Sequence, residues 1–175
     1  MYTLLLVDDE EDVIEVIERK VSWEQIGFHV VGHAGNGFKA LEMMEDMQPD
    51  VVMTDIRMPY MDGLELCSNI RQRFPATKLL LFTGFDDFEY AKEAVHLEIE
   101  EYILKPLNLA EITEVFKKLK TKLDDELNEK KNTDILKQYY AASLPVLQSN
   151  FYTTLIEGRI PENAVSYTHL RAHET

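Results

Sequence analysis

Five short runs of apolar, strand-favouring residues recur along the first part of the chain, and stretches of helical period separate them. The runs are Thr3–Val7 (TLLLV), Phe28–Ala34 (FHVVGHA), Asp50–Thr54 (DVVMT), Lys78–Phe82 (KLLLF) and Glu101–Lys105 (EYILK). Three are nearly all apolar, the mark of strands covered on both faces, as in a parallel sheet. Between them, residues 11–20 carry Val13, Ile14, Val16 and Ile17, and residues 38–47 carry Leu41, Met43 and Met44. Residues 64–74 carry Leu64, Cys67, Ile70 and Phe74, and residues 87–97 carry Phe88, Ala91, Ala94 and Val95. Asp86 with Glu89, and Asn108 with Glu111, supply helix-start signals. The alternation predicts a (βα)5 α/β domain, doubly wound around a five-stranded parallel sheet. In such sheets the functional crevice lies at the carboxyl ends of the strands.

Charge bears on what that crevice can hold. The chain has 175 residues and a net charge of -14. Residues 1–106 hold 22 Asp and Glu against 9 Lys and Arg, whereas residues 107–175 hold 10 against 9. An acidic front half argues against nucleic-acid binding by that half and allows a cation site. The single cysteine, Cys67, excludes a disulfide framework and a cysteine-based zinc site; on an apolar helix face it reads as a small buried hydrophobe. There is no signal-peptide pattern and no apolar run of membrane-spanning length, so the expected location is cytoplasmic.

The strand ends carry the chemistry. Asp8 and Asp9 follow the first strand directly, and Asp55 follows the third. In a parallel sheet these ends are neighbours, so three carboxylates converge. Like charges that close are costly unless a cation sits among them, and Mg2+ takes oxygen ligands. Asp8 and Asp9 also suit the simpler role of capping the first helix. The fourth strand ends in Thr83 and Gly84, and the fifth in Lys105 and Pro106. Singly, the Thr suits a helix cap and the Lys a structural ion pair. Together, acids, a hydroxyl and an amine on successive strand ends suit an acidic nucleophile that accepts a phosphoryl group. His29 and His33, four apart in the second run, share one face of a regular strand; they suit ordinary strand positions better than a metal pair. Trp23 is expected to anchor the first helix–strand turn.

At these motifs the chain resembles the receiver domain of two-component response regulators, over roughly residues 2–121. The resemblance implies a flavodoxin-like sheet of order 2-1-3-4-5 followed by a helical linker. It implies that Asp55 is phosphorylated by a sensor histidine kinase, and that Mg2+ is held by Asp8, Asp9, Asp55 and the backbone carbonyl of Arg57. Thr83 and Tyr102 correspond to the switch residues and Lys105 to the family's lysine. Pro106, usually preceded by a cis bond, Gly84 and Gly63 are implied as structural residues at the site. The protein is then a phosphoacceptor that assists its own phosphorylation and dephosphorylation, not an enzyme in the usual sense. A haloacid-dehalogenase-type phosphatase also pairs an Asp nucleophile with Mg2+, but it needs a second Asp where Arg57 stands.

The stretches GFHVVGHAGNGFKALEM, TGFDDFEYAKEAV and LPVLQSNFYTTLIEGRIPEN resemble the YesN-like, AraC-type branch of response regulators. That branch controls transcription through a C-terminal AraC-type DNA-binding domain, which the 175 residues do not contain. The alternative is a stand-alone receiver module that signals by protein–protein contact. The expected division is residues 1–121 receiver, 122–138 helical linker, and 139–164 the incomplete start of a helical linker region or second domain. Ile112, Phe116, Leu119 and Leu123 are spaced 4-3-4. This rhythm fits a coiled coil or a helix packed on its own sheet, so a homodimer through the receiver or the linker helix joins the expected partners. Residues 165–175, VSYTHLRAHET, fit no part of the family pattern. They match the translation of a transposase-type sequencing-library adapter and are expected to be an artefact of reading through a fragment end.

Overall fold

The computed structural model describes residues 1–84, 88–106 and 108–156. The helix-start pair that uses Asp86, and the tail 165–175, lie outside the described residues.

The elements run β1 (Tyr2–Val7), α1 (Glu11–Lys20), α2 (Trp23–Ile26), β2 (Phe28–Ala34), α3 (Gly37–Met47), β3 (Val51–Thr54), α4 (Gly63–Arg73), β4 (Lys78–Thr83), α5 (Phe88–His96), β5 (Glu101–Leu104) and α6 (Leu109–Ile156). All five strands are parallel, in the order β2-β1-β3-β4-β5. The expected doubly wound, flavodoxin-like sheet is therefore present, and a long C-terminal helix follows it.

Side chains that alternate along the strands feed two cores. Leu4 and Leu6 of β1, Met53 of β3 and Phe82 of β4 pack with α1, Trp23 and α6 on one face. Leu5, Val7, Val52 and Leu81 pack with α3, α4 and Ala94 of α5 on the other. Phe116 of α6 sits edge-on to both Trp23 and Phe28, with ring centroids 4.7 and 5.0 Å away. Such T-shaped contacts add to simple area burial. The indole N–H of Trp23 donates to the Ile17 carbonyl (3.2 Å), so its polar edge is satisfied inside the core. Trp23 thus anchors the turn between α1 and β2, in a short helix that periodicity did not predict. Gly27 closes that helix at φ 90°, a left-handed conformation that favours glycine.

β2 carries a bulge. Val30 aligns with Leu4 but Gly32 aligns with Leu5, so Val31 is an extra residue. A bulge inverts the alternation beyond it. Phe28 and Val30 consequently face the first core, whereas Ala34 faces the second. His29 is level with Thr3 and His33 with Leu6, positions of opposite parity on β1. The two histidines therefore lie on opposite faces, contrary to the regular-strand expectation, and make no pair.

Helical periodicity placed most inward positions correctly: Ile14, Ile17, Met44, Leu64, Cys67, Ile70 and Ala94 are buried. Val16 and Val95 are exposed instead, because each helix rests a narrower stripe on the sheet than its apolar residues span. Burial raises the Cys67 thiol pKa to about 12, which keeps it protonated and inert.

Asn108 caps α6 by accepting the Ala110 N–H on its side-chain oxygen (3.0 Å). Ile112, Phe116, Leu119 and Leu123 are all buried in the first core. Their 4-3-4 rhythm is that of a helix packed on its own sheet. The chain divides into two compact units, Met1–Asp124 and a second from Asp125 onward. α6 ends at Ile156 and includes Pro145.

Candidate phosphoacceptor and metal site

Sheet hydrogen bonding continues one residue beyond three strand ends, and each of those residues carries a charged side chain. The Asp8 N–H donates to the Ala34 carbonyl (3.1 Å), the Asp55 N–H to the Val7 carbonyl (2.8 Å) and the Lys105 N–H to the Thr83 carbonyl (2.8 Å). The ladder therefore fixes the backbone of all three, and the order β1-β3-β4-β5 sets Asp8 beside Asp55, with Lys105 two strands from Asp55 across β4.

Their side chains meet. The Lys105 ammonium lies 3.0 Å from Asp8 Oδ2 and 3.1 Å from Asp55 Oδ2. It also lies 5.0 Å from the centroid of the buried Phe82 ring, within range of a cation–π contact. The other oxygens of the two buried carboxylates take backbone donors: Asp8 Oδ1 accepts the Glu10 N–H (2.8 Å) and Asp55 Oδ1 accepts the Ile56 N–H (2.7 Å). Asp9 stands exposed at the rim. One ligand oxygen from each of Asp8, Asp9 and Asp55 can be chosen so that all lie within 4.8 Å of one another.

Electrostatics follow from burial. Desolvation raises the Asp8 pKa above the ordinary carboxylate value, and the nearby Asp55 adds to this. The hydrogen bonds from Glu10 and Lys105 and the Lys105 charge work the other way without overcoming it. For Lys105, desolvation disfavours the ammonium, but the hydrogen bonds and charges of Asp8 and Asp55 outweigh it and raise the pKa. An ion pair alone would lower Asp8 as it raises Lys105. Both rise because Asp8 is wholly enclosed, while Lys105 keeps partial access to water.

Three acids share one amine, so the cluster retains a charge deficit. Its donors are all oxygens, the ligand type that Mg2+ takes. These residues fit Mg2+.

The loop after β3 is closed tightly over Asp55. Buried Thr54 donates its hydroxyl to the Asp55 carbonyl (2.9 Å), and the Gly63 N–H donates to the Ile56 carbonyl (2.8 Å). A Cβ on Gly63 would lie 2.0 Å from the Asp55 carbonyl oxygen, so only glycine fits. Asp62 then caps α4 by accepting the Glu65 N–H (2.8 Å).

The remaining expected residues lie on or just after β3, β4 and β5. Thr83 ends β4, wholly buried. Tyr102 is level with Leu81 and packs, half-buried, against the second core. Arg57 is exposed, two residues after Asp55. The Lys105–Pro106 bond is cis. Gly84 has room for a side chain, since the nearest atom to an added Cβ would be the Lys105 Cβ at 4.0 Å. Two neighbours escaped sequence reasoning. Glu10 brings a fourth carboxylate 3.9 Å from the Lys105 ammonium, and its signal was the unbroken acidic run DDEE. Phe82, beneath Lys105, was legible only as a strand residue.

A family model described as "Response regulator receiver domain" matches residues 4–117. The "Uncharacterized transcriptional regulatory protein YesN" of Bacillus subtilis (strain 168) is 37% identical over 78% of this chain and 37% of its own length. Staphylococcal regulators that match at 26–28% identity are covered over 64% of their length, so the chain spans less than two thirds of these curated relatives. Among solved structures, the REC domain of AraT, a response regulator from Geobacillus stearothermophilus, superposes with a TM-score of 0.68 at 36% identity. The match covers 72% of this chain and 98% of that one. A two component transcriptional regulator AraC from Clostridium phytofermentans ISDg gives 0.65 at 31% identity, over 72% and 98%.

Proposed function

The chain belongs to the response regulator receiver domain family, and from that premise we propose that Asp55 accepts a phosphoryl group from a partner histidine kinase in a Mg2+-dependent reaction. The observation that carries the proposal is the Lys105 ammonium, held between Asp8 and Asp55 at 3.0 and 3.1 Å inside a cluster whose three carboxylates it offsets only in part.

Asp8, Asp9, Asp55 and the Arg57 backbone carbonyl would hold the Mg2+. When bound there, the ion supplies positive charge to the phosphoryl oxygens. A carboxylate oxygen of Asp55 bonds to phosphorus as the phosphorus–nitrogen bond of the donor phosphohistidine breaks. The imidazole leaves with the electron pair and takes a proton. Asp55 exchanges its carboxylate charge for an acyl phosphate of roughly -1.5 to -2. Lys105 then pairs with phosphoryl oxygens, and the Thr83 hydroxyl donates to another. Thr83 shifts toward the phosphoryl group, and Tyr102 moves inward from its half-buried position. A difference of a few kcal/mol between two such arrangements suffices to shift their populations.

The names of the relatives support a transcriptional output. We assign it to a DNA-binding domain of the AraC type, with the receiver as the cytoplasmic regulatory part. Asp9, Arg57 and the switch residues enter this scheme by their match to the family motif.

Purified chain incubated with a phosphodonor should acquire one hydroxylamine-sensitive phosphoryl group when Mg2+ is present and none when it is chelated. Labelling that proceeds equally well without divalent cations would defeat the scheme. Arg57, exposed two residues beyond Asp55, offers no base to orient a water, so hydrolysis of the phosphorylated form is expected to be slow. A phosphate-release time course tests this, and loss of label within seconds would contradict it.

A further inference from the structure

Phe38 of α3 is 56% exposed, and Tyr60, in the loop before α4, is 86% exposed. Both line one groove of about 530 Å³ formed by α3, α4, α5 and that loop, and the half-buried Tyr90 of α5 joins them. Backbone geometry holds Tyr60 out. Its φ is 72°, and the Met61 N–H donates to the Pro59 carbonyl (2.9 Å), which closes a three-residue turn around it. Such a turn is rare and strained, and costly for a bulky residue. Strain that leaves an aromatic ring in water adds nothing to the core, so it points to a role in binding.

Asp62, Glu65 and Glu93 line the same groove, and none of the described residues around it is Lys, Arg or His. Asp62 gives one oxygen to the α4 cap. Among the described residues, Glu65 and Glu93 enter no ion pair. Nor do the three acids gather for one metal ion: among the described residues only Asp8, Asp9 and Asp55 do so. The charge deficit here is spread out and lies beside aromatic rings.

We propose that this groove binds an arginine side chain, presented by a partner protein in a basic, partly apolar segment. A guanidinium is planar, stacks on aromatic faces and directs its N–H groups at carboxylates. The groove offers both kinds of contact. The net charge of -14 steers a basic segment toward the chain. A second copy docked through the same groove would bring the same acids and be repelled, as would nucleic acid or an anionic lipid surface. The inference stands whether or not Asp55 is phosphorylated.

An amide chemical-shift titration of the full chain with the tripeptide acetyl-Arg-Leu-Arg-amide, at physiological salt and with Mg2+ present, reads the outcome. Saturable shifts are expected at Phe38, Tyr60, Glu65 and Glu93. The citrulline analogue of the peptide keeps the shape without the charge and should not bind. E65Q/E93Q should weaken binding roughly tenfold, the effect of two exposed charge pairs. E18Q/E129Q removes the same charge from exposed positions elsewhere and should barely change it. Tyr60→Gly removes the ring and suits the left-handed backbone, so binding should fall without loss of thermal stability. Absence of saturation at millimolar peptide would overturn the proposal, as would equal binding of the citrulline analogue. Equal losses in E65Q/E93Q and E18Q/E129Q would reduce the effect to overall charge and overturn it too. So would shifts confined to Asp8, Asp9 and Asp55, which would seat the peptide in the phosphoacceptor crevice instead.

Discussion

Phe116 and Phe151 are both aromatic residues on α6, each set in a helical apolar rhythm. Phe116 is fully buried between Trp23 and Phe28, whereas Phe151 is half exposed. The rhythm does not distinguish them. What differs is the surroundings: before Asp124 the helix has a sheet to rest on, and from Asp125 onward it belongs to a separate compact unit. Periodicity thus reports which face of a helix is apolar, and tertiary topology decides whether that face is covered within the chain.

Paired substitutions sharpen this contrast. Phe116→Ala should destabilise the receiver by ~3–5 kcal/mol, the usual cost of emptying a buried aromatic site. Phe151→Ala should leave the same unfolding transition within about 0.5 kcal/mol. Chemical denaturation of the two variants measures both, and comparable losses would erase the distinction.

Gly63→Ala tests the crevice. Its Cβ meets a backbone oxygen, which cannot rotate away, so the loop over Asp55 must shift. The expected cost is ~1–3 kcal/mol, with slower phosphoryl acceptance by Asp55. Gly84→Ala, at a position with room for a side chain, should cost far less.

A smaller effect than that of Gly63→Ala is expected at the Glu100 ion pairs with Lys78 and Lys122. Desolvation raises the Glu100 pKa, but the Lys122 hydrogen bond and the charges of both lysines outweigh it and hold the carboxyl below its ordinary value. Because the folded-state pKa is depressed, the contribution is complete above the ordinary carboxylate pKa and fades as pH falls through the folded one. Its size is expected to stay within ~1 kcal/mol, since Lys122 is largely exposed. Stability curves of Glu100→Gln and the unsubstituted chain should therefore converge on acidification; a gap that widens would reverse the sign.

The fold was largely legible because buried parallel strands leave a distinct mark. Phe28–Ala34 was bounded to the residue, and the other strands to within one residue at each end. The Val31 bulge was not legible, because an extra residue changes the register without breaking the apolar run. α2 is too short to show a period. At the site, Asp8, Asp55 and Lys105 were legible because each directly follows a strand. Phe82 and Glu10 were not, since their roles depend on where the Lys105 side chain reaches across neighbouring strands.

The central claim is that the carboxylate beside Lys105 is the phosphoacceptor. Peptide mass mapping of the phosphorylated chain, unsubstituted and Asp55→Asn, tests it most directly. The account predicts one modified residue, Asp55, and an unmodified Asp55→Asn chain under the same conditions. A phosphoryl group found on another residue of the unsubstituted chain, or retained by the variant with similar yield, would contradict it.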